Sequence, residues 1–328
     1  MYQMMSLPLY SGTFQEYDSW RDLGQELERL GCDGIEGVWG GEDLPKDLPA
    51  ELILGYHLIF YPDWLDFYRD DRAALKQKFG SLEAVASFYG GLGPDTLLEQ
   101  YRADLRRAVN LGARYVVFHV SDVSLEEGYT YRWLPTNQEV IDAAVEVVNL
   151  ILGEERWPFE FLVENQWWPG FTFTEPEETA RLLEGIRFAG KGILLDTGHL
   201  MNACTELKTE AEGADYIRSM LNRHGSLAKW VRGVHLHQSL SGAYVKAHTG
   251  SLPAGLPEDY MERFGVSYQH ILQIDQHRPW TDPAILPVLE QIEPRYLTHE
   301  LSSRGRMARA EAVSIQTRLL RQGGRMRV

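Results

Sequence analysis

Short apolar runs alternate with longer amphipathic segments along nearly the whole of this sequence. The runs are GIEGVW at 34–39, ELILGYHLIF at 51–60, RYVVFHV at 114–120, FEFLVE at 159–164, GILLD at 192–196, VRGVHLH at 231–237, HILQID at 270–275 and RYLTHE at 295–300. Each has the length expected of a buried strand. Segments of helical period lie at 18–30, 95–111, 137–152, 175–187, 207–224, 282–291 and 304–322. In the first of these, Trp20, Leu23, Leu27 and Leu30 share one face, and Gly31 supplies the stop. Strict alternation of strand and helix demands a parallel sheet with helices outside it. Eight units predict an α/β fold closed as one (βα)8 TIM barrel over 1–328, with extended loops after the second and sixth strands. No GxGxxG follows the first run, so a dinucleotide-binding sheet lacks its phosphate cradle.

The chain has 328 residues, enough for one such barrel. Its net charge of −15 repels phosphate backbones, so nucleic acid is not an expected partner. The basic C-terminal arginines (Arg304, Arg306, Arg309, Arg318, Arg321, Arg325 and Arg327) read as a solvated helix face. Cys32 and Cys204 cannot make a disulfide framework, and a reducing cytoplasm is the simple expectation. No signal peptide or membrane span is expected from the apolar pattern.

The histidines are placed unevenly. His57, His119, His199, His235, His237, His277 and His299 lie in or just beyond the C-terminal ends of the runs, and Glu36, Glu164, Asp196, Asp275 and Glu300 stand at equivalent places. In a (βα)8 barrel these ends converge on one mouth. Imidazoles and carboxylates together are the donor set of a divalent metal such as zinc or manganese. Three pairs sharpen the signal: Asp196 and His199 in LLDTGH, His235 and His237 in VHLH, Asp275 and His277 in IDQH. His224 and His270 read as core histidines.

The motifs LVEN, LLDTGH, VHLHQS and YLTHEL make the chain resemble the xylose-isomerase-like TIM-barrel superfamily, which includes sugar isomerases, sugar epimerases and endonuclease IV. The resemblance implies one divalent metal on Glu164, Asp196, His235 and Glu300, with His199 touching substrate. The endonuclease IV branch implies up to three zinc ions. It adds His119, His199, Asp275 and His277 as ligands, with His57 matching a further histidine after the second strand. The Gly-Ala-His-Val start of that branch is missing, as are its basic and intercalating DNA loops.

Two chemistries follow. The favoured one is a metal-dependent isomerase or epimerase of a sugar or sugar-phosphate-like hydroxy-carbonyl compound, acting through an enediolate. There Glu164 and Glu300 are the acid/base pair, and His199 or His237 polarises the substrate oxygen. Trp39, Tyr61, Trp64, Trp167, Trp168 and Phe171 are candidates to wall the substrate, and Lys246 and His248 to hold a phosphate or carboxylate. The alternative is a multinuclear zinc phosphodiesterase or other hydrolase, in which Glu164 bridges metals and Asp275 and His277 hold a further ion. The expected partner is a small carbohydrate-like molecule, and a homo-oligomer is left open.

Overall fold

The computed structural model describes residues 1–323, so Arg325 and Arg327 lie outside the described residues. Eight strands close into a parallel barrel in sequence order: β1 (Tyr2–Leu9), β2 (Gly34–Trp39), β3 (Ile53–His57), β4 (Tyr115–His119), β5 (Glu160–Glu164), β6 (Lys191–Asp196), β7 (Val231–His235) and β8 (Tyr296–His299). Closure comes from β1, whose Met4 pairs with Gly34 of β2 on one side and with Thr298 of β8 on the other.

The outer layer includes α1 (Trp20–Leu30), α2 (Pro94–Asn110), α3 (Asn137–Leu152), α4 (Pro176–Gly185), α5 (Thr197–Asn202), α6 (Glu210–His224), α7 (Tyr260–Ile274), α8 (Ile285–Ile292) and α9 (Arg306–Gln322). Local chemistry explains their limits. Ser19 caps α1 by accepting from the Asp22 N–H at 3.2 Å, and Gly31 ends it in the left-handed region at φ 80°. Thr136 and Glu139 form a reciprocal cap on α3, as Thr209 and Glu212 do on α6.

Two strand assignments differ from the sequence reading, and they compensate in number. YQMMSLPL is β1, although its buried positions do not alternate cleanly and it contains Pro8. HILQID is not a strand. His270 to Ile274 form the last turns of α7, which Asp259 caps by accepting from the Glu262 N–H at 3.0 Å. A short apolar run fits a buried strand or a buried helical turn equally well by periodicity. Tyr260, Ser267, His270 and Ile274 bury a face of helical spacing instead. The six runs from GIEGVW to VRGVHLH are therefore β2 to β7. The two extended connections follow β3 and β7, and both carry helices rather than open loop.

The barrel interior is stacked in layers. Met4, Leu54, Tyr115, Val117, Leu162, Leu194 and Tyr296 plug its lower part. Gly55 makes this packing feasible, since a Cβ there would lie 2.3 Å from the Tyr115 ring. Above the plug, the Tyr115 hydroxyl donates to Glu36 Oε2 at 2.5 Å, and Thr298 Oγ1 donates to the same oxygen at 2.9 Å. His299, expected at the mouth, instead packs between barrel and α9, bonded to Gln316 at 2.7 Å and Gln3 at 3.2 Å. Burial pushes its imidazole down to about 3, so it stays neutral.

The arginines of α9 are only partly a solvated face. Arg304, Arg318 and Arg321 are exposed. Arg306 grips Asp22 through two bonds of 2.5 and 2.8 Å and Glu26 through one of 2.8 Å, and Arg309 is buried against Glu16 and Tyr17. These contacts tie the last helix to α1. Arg306→Ala removes the hydrogen-bonded cation of the buried Glu26 carboxylate, leaving only Arg29 at 3.8 Å, and should cost about 1–3 kcal/mol. Urea denaturation of the variant should show the loss, with metal content unchanged.

Candidate metal centre

Parallel register brings the acidic and imidazole side chains together. His119 of β4 lies opposite Glu164 of β5, and Asp196 of β6 lies opposite His235 of β7. His57 ends β3, and Glu300 follows β8 directly. Their side chains meet above the apolar plug in three groups whose donor atoms lie within 4.8 Å of one another: His57, His119 and Glu164; Glu164, Asp196, His235 and Glu300; His199, His237, Asp275 and His277.

Glu164 stands at the centre. Its Oε2 is 3.3 Å from His57 Nε2 and 3.1 Å from His119 Nε2, and those two nitrogens are 3.0 Å apart. Its Oε1 is 3.4 Å from His235 Nδ1. His235 Nδ1 is also 2.9 Å from Glu300 Oε2 and 3.7 Å from Asp196 Oδ2. In the third group Asp275 Oδ2 is 3.1 Å from His277 Nε2 and 3.3 Å from His199 Nε2. His237 Nε2 reaches Asp196 Oδ2 at 2.8 Å and so links the second and third groups.

Separations of this size between donors are those of ligands around a common ion with bonds of about 2.0–2.3 Å. The hydrogen-bond inventory fits a cation as well. Both oxygens of Glu164, Glu300 Oε2, His235 Nδ1, His277 Nε2 and Asp275 Oδ1 are buried with no hydrogen-bond partner. Buried polar atoms are almost always satisfied, and a cation would satisfy these together.

The outer nitrogens are held. His57 Nδ1 bonds its neighbour's carbonyl, Leu58 O, at 2.8 Å, which leaves Nε2 to face Glu164. His235 Nε2 lies 2.8 Å from Glu36 Oε1, which leaves Nδ1 for the second group. His199 Nδ1 lies 3.0 Å from Asn165 O, with Nε2 toward Asp275. A fixed outer partner sets the tautomer that ligation needs. Burial alone would raise the Glu164 carboxyl, but His119 and His235 hold it well below the usual carboxylate range. Burial also opposes charge on His199 and His235, and the surrounding carboxylates raise both strongly. His119 and His277 are shifted down by burial.

The turn after β6 shows why LLDTGH has its composition. Asp196 Oδ1 caps α5 by accepting from the His199 N–H at 2.6 Å, leaving Oδ2 free for the centre. Gly198 lets the His237 ring lie against this turn, since a Cβ would sit 2.0 Å from His237 Cε1.

The mouth opens into a cavity of about 510 Å³. Trp167, Trp168 and Tyr61 line it. Trp39, Trp64 and Phe171 do not; they are engaged by Arg107, by the Ser121 carbonyl and by the core respectively. Lys246 is also not in the cavity lining. It is half exposed and pairs with Glu206 at 2.7 Å, because it stands on the outer surface of the short helix Gly242–His248. His248 is exposed and bonded to Tyr244 O on the same helix. Two roles escaped the sequence. Glu36 buttresses His235, and Gln166 bonds His199 Nδ1 at 3.0 Å. Only the strand-tip position of Glu36 hinted at the first.

A closed parallel barrel with imidazoles and carboxylates gathered at its C-terminal mouth defines a class of protein, and comparison with known proteins agrees with it. A family model described as xylose isomerase-like TIM barrel matches residues 25–293, and the chain belongs to that family. Solved structures sharing the fold include endonuclease IV from Thermus thermophilus, with TM-score 0.51 and 15% identity over 98% of this chain and 100% of that one. A D-tagatose 3-epimerase-like protein has TM-score 0.51 and 15% identity over 99% and 98% of the two chains. Mannonate dehydratase from Streptococcus suis serotype 2 has TM-score 0.53 and 14% identity over 99% and 94%. No curated protein matches the sequence. Among the described residues no helix is long and apolar enough to cross a membrane.

Gly198→Ala should destabilise the fold by about 1–3 kcal/mol through overpacking against His237. Thermal unfolding measures the loss, and a crystal structure of the variant should show the His237 ring displaced.

Proposed function

We propose that this protein is a multinuclear divalent-metal hydrolase acting on a phosphoester, with zinc or manganese held at the three groups of donors. The supporting observation is the sharing of Glu164. One oxygen faces the two imidazoles of the first group and the other faces His235 of the second. A carboxylate so placed would serve both the first and the second donor group, while His199, His237, Asp275 and His277 would hold a further ion. Ions bound there would supply Lewis-acid charge for the phosphate oxygens and activate water for attack.

The chain's own groups do the rest. Glu36, Leu58 O and Asn165 O fix the ligand imidazoles. Glu300, 19% exposed and in the cavity lining, is more accessible than Asp275, the other carboxylate of the lining, at 11%, and it is assigned to carry a proton between water and leaving group. Trp167, whose ring lies 5.1 Å from that of His199, and Trp168 line the cavity beside the donors and would limit access of water.

A single-metal isomerase or epimerase of a hydroxy-carbonyl sugar is the second reading. Glu164, Asp196, His235 and Glu300 alone make one complete donor set, with Glu164 and Glu300 as its acid/base pair. It leaves His57, His119, His199, His237, Asp275 and His277 converging without an ion. The hydrolase therefore takes first place, although the sequence reading favours the isomerase.

Metal analysis of purified protein should find three ions per chain, matching the three groups. The double variant His57→Ala with His119→Ala should lose one of them. One equivalent in the wild type, with interconversion of ketohexoses, would establish the single-metal reading instead.

Glu164→Gln should lower chelator-sensitive release of 4-nitrophenolate from bis(4-nitrophenyl) phosphate by about a hundredfold or more. Circular dichroism should show an intact fold, because the residue supplies charge to the mouth rather than packing to the core. Near-normal turnover in the variant would remove Glu164 from the machinery.

A further inference from the structure

The cavity above the metal centre is lined by two chemically distinct sets of side chains. His57, His119, His199, Asp275, His277 and Glu300 present the donor groups. Phe60, Phe88, Trp167, Trp168, Phe264 and Tyr268 make an aromatic lining; the Phe60 ring lies 4.5 Å from His119 and the Trp167 ring 5.1 Å from His199, while Phe264 and Tyr268 are contributed by α7. Among the described residues no lysine or arginine lines the cavity. Lys246, the cation expected from sequence to hold an anionic group, is committed to Glu206 on the surface.

Several polar side chains of the lining are engaged within the protein, although the indole N–H groups of Trp167 and Trp168 are buried without a partner. Ser124 Oγ donates to Glu127 at 2.6 Å, Ser267 Oγ to Arg263 O at 2.9 Å, and the Tyr61 hydroxyl to Gln100 at 2.6 Å. Gln166 is bonded to His199, and both ring nitrogens of His270 are taken by the Tyr244 hydroxyl and Gly128 O. Apart from these two indole N–H groups, a polyhydroxylated sugar in this space would give up its bonds to water for few replacements, which is costly in an enclosed site. A nucleic acid would meet no cation beyond the ions themselves. An apolar ring is the group that gains by entering. Phe60 and Tyr268 stay 47% and 50% exposed at the rim, and such a ligand would cover them.

We infer that the substrate of this site carries an apolar group of aromatic size, seated against Phe264 and Tyr268 of α7, with its anionic oxygen-bearing end at the metal centre. The volume of about 510 Å³ suits a small molecule of this kind. The substrate class is then a small aryl or extended alkyl phosphoester. This inference rests on the hydrolase reading for the identity of the anionic end, and on the cavity alone for the apolar end.

Isothermal titration of the metal-loaded full-length protein with phenylphosphonate and with methylphosphonate tests it. The carbon–phosphorus bond of these probes is not a hydrolysable ester, so binding is read apart from turnover. Phenylphosphonate should bind about tenfold tighter or more, the scale set by burial of one ring. The double variant Phe264→Ala with Tyr268→Ala should bring that ratio close to unity. Neither side chain is fully buried, and thermal unfolding verifies that the variant folds. Equal affinities, no binding of either probe, or a ratio that survives in the folded double variant would overturn the inference. A phenyl preference in a protein that cleaves no phosphoester would leave the apolar site standing and overturn the hydrolase reading.

Discussion

The pairing of β1 with β8 is the contact on which the arrangement depends. Tyr2 to Met5 lie alongside Tyr296 to His299, and the same strand continues beside Gly34 to Trp39. Without β1 the sheet would have two free edges, and backbone donors and acceptors along β2 and β8 would be left without partners. Closure also sets the mouth. Parallel strands place all their C-terminal ends on one rim, so that His57 from β3 and Glu300 from after β8 approach Glu164 from opposite sides. An open sheet would leave those residues strung along one edge.

Closure makes the centre electrostatically demanding. Glu36, Glu164, Asp196 and Glu300 converge in one region, with the first three fully buried. Like charges so near one another are tolerable only where cations compensate them. Burial opposes charge here, while the carboxylates raise His199 and His235 and the neighbouring imidazoles, His119 and His235 foremost, hold Glu164 down. The unpartnered oxygens and nitrogens that remain are the positions divalent ions would satisfy. The apolar plug of Met4, Leu54, Tyr115 and their neighbours seals the barrel beneath. The Tyr115 hydroxyl then turns from plug to centre, holding Glu36 in place behind His235. One side chain thereby joins the packing of the core to the orientation of a candidate metal-binding imidazole.

The cavity walls come from the connections after β3, β4, β5 and β7 rather than from the barrel, and they are largely aromatic and uncharged. Barrel and walls thus separate two tasks: the strand ends gather charge, and the connections shape what comes near it. Helix α7 is the clearest case, because the same segment carries Phe264 and Tyr268 over the cavity and delivers Asp275 to the centre just beyond its last residue.

Much of this was legible in the amino-acid order. Alternating apolar and amphipathic periods required a parallel sheet wrapped by helices, and the pairs in LLDTGH and VHLH stood at strand ends that share one rim, whereas the pair in IDQH reached the same mouth from the end of α7. Other features were decided by tertiary contact. YQMMSLPL became a strand because two neighbours offered it hydrogen bonds, and HILQI became helical because its apolar side chains fit a face of α7. Glu36 gained its role from His235, five strands further along the chain, and Lys246 lost its expected role to a surface glutamate. The division of one carboxylate, Glu164, between two groups of donors was equally beyond the sequence. Local pattern determines periodicity and which residues face inward, because these follow from the repeat of helix and strand. Which oxygen faces which nitrogen depends on register and side-chain direction across the barrel, and those exist only once it has closed.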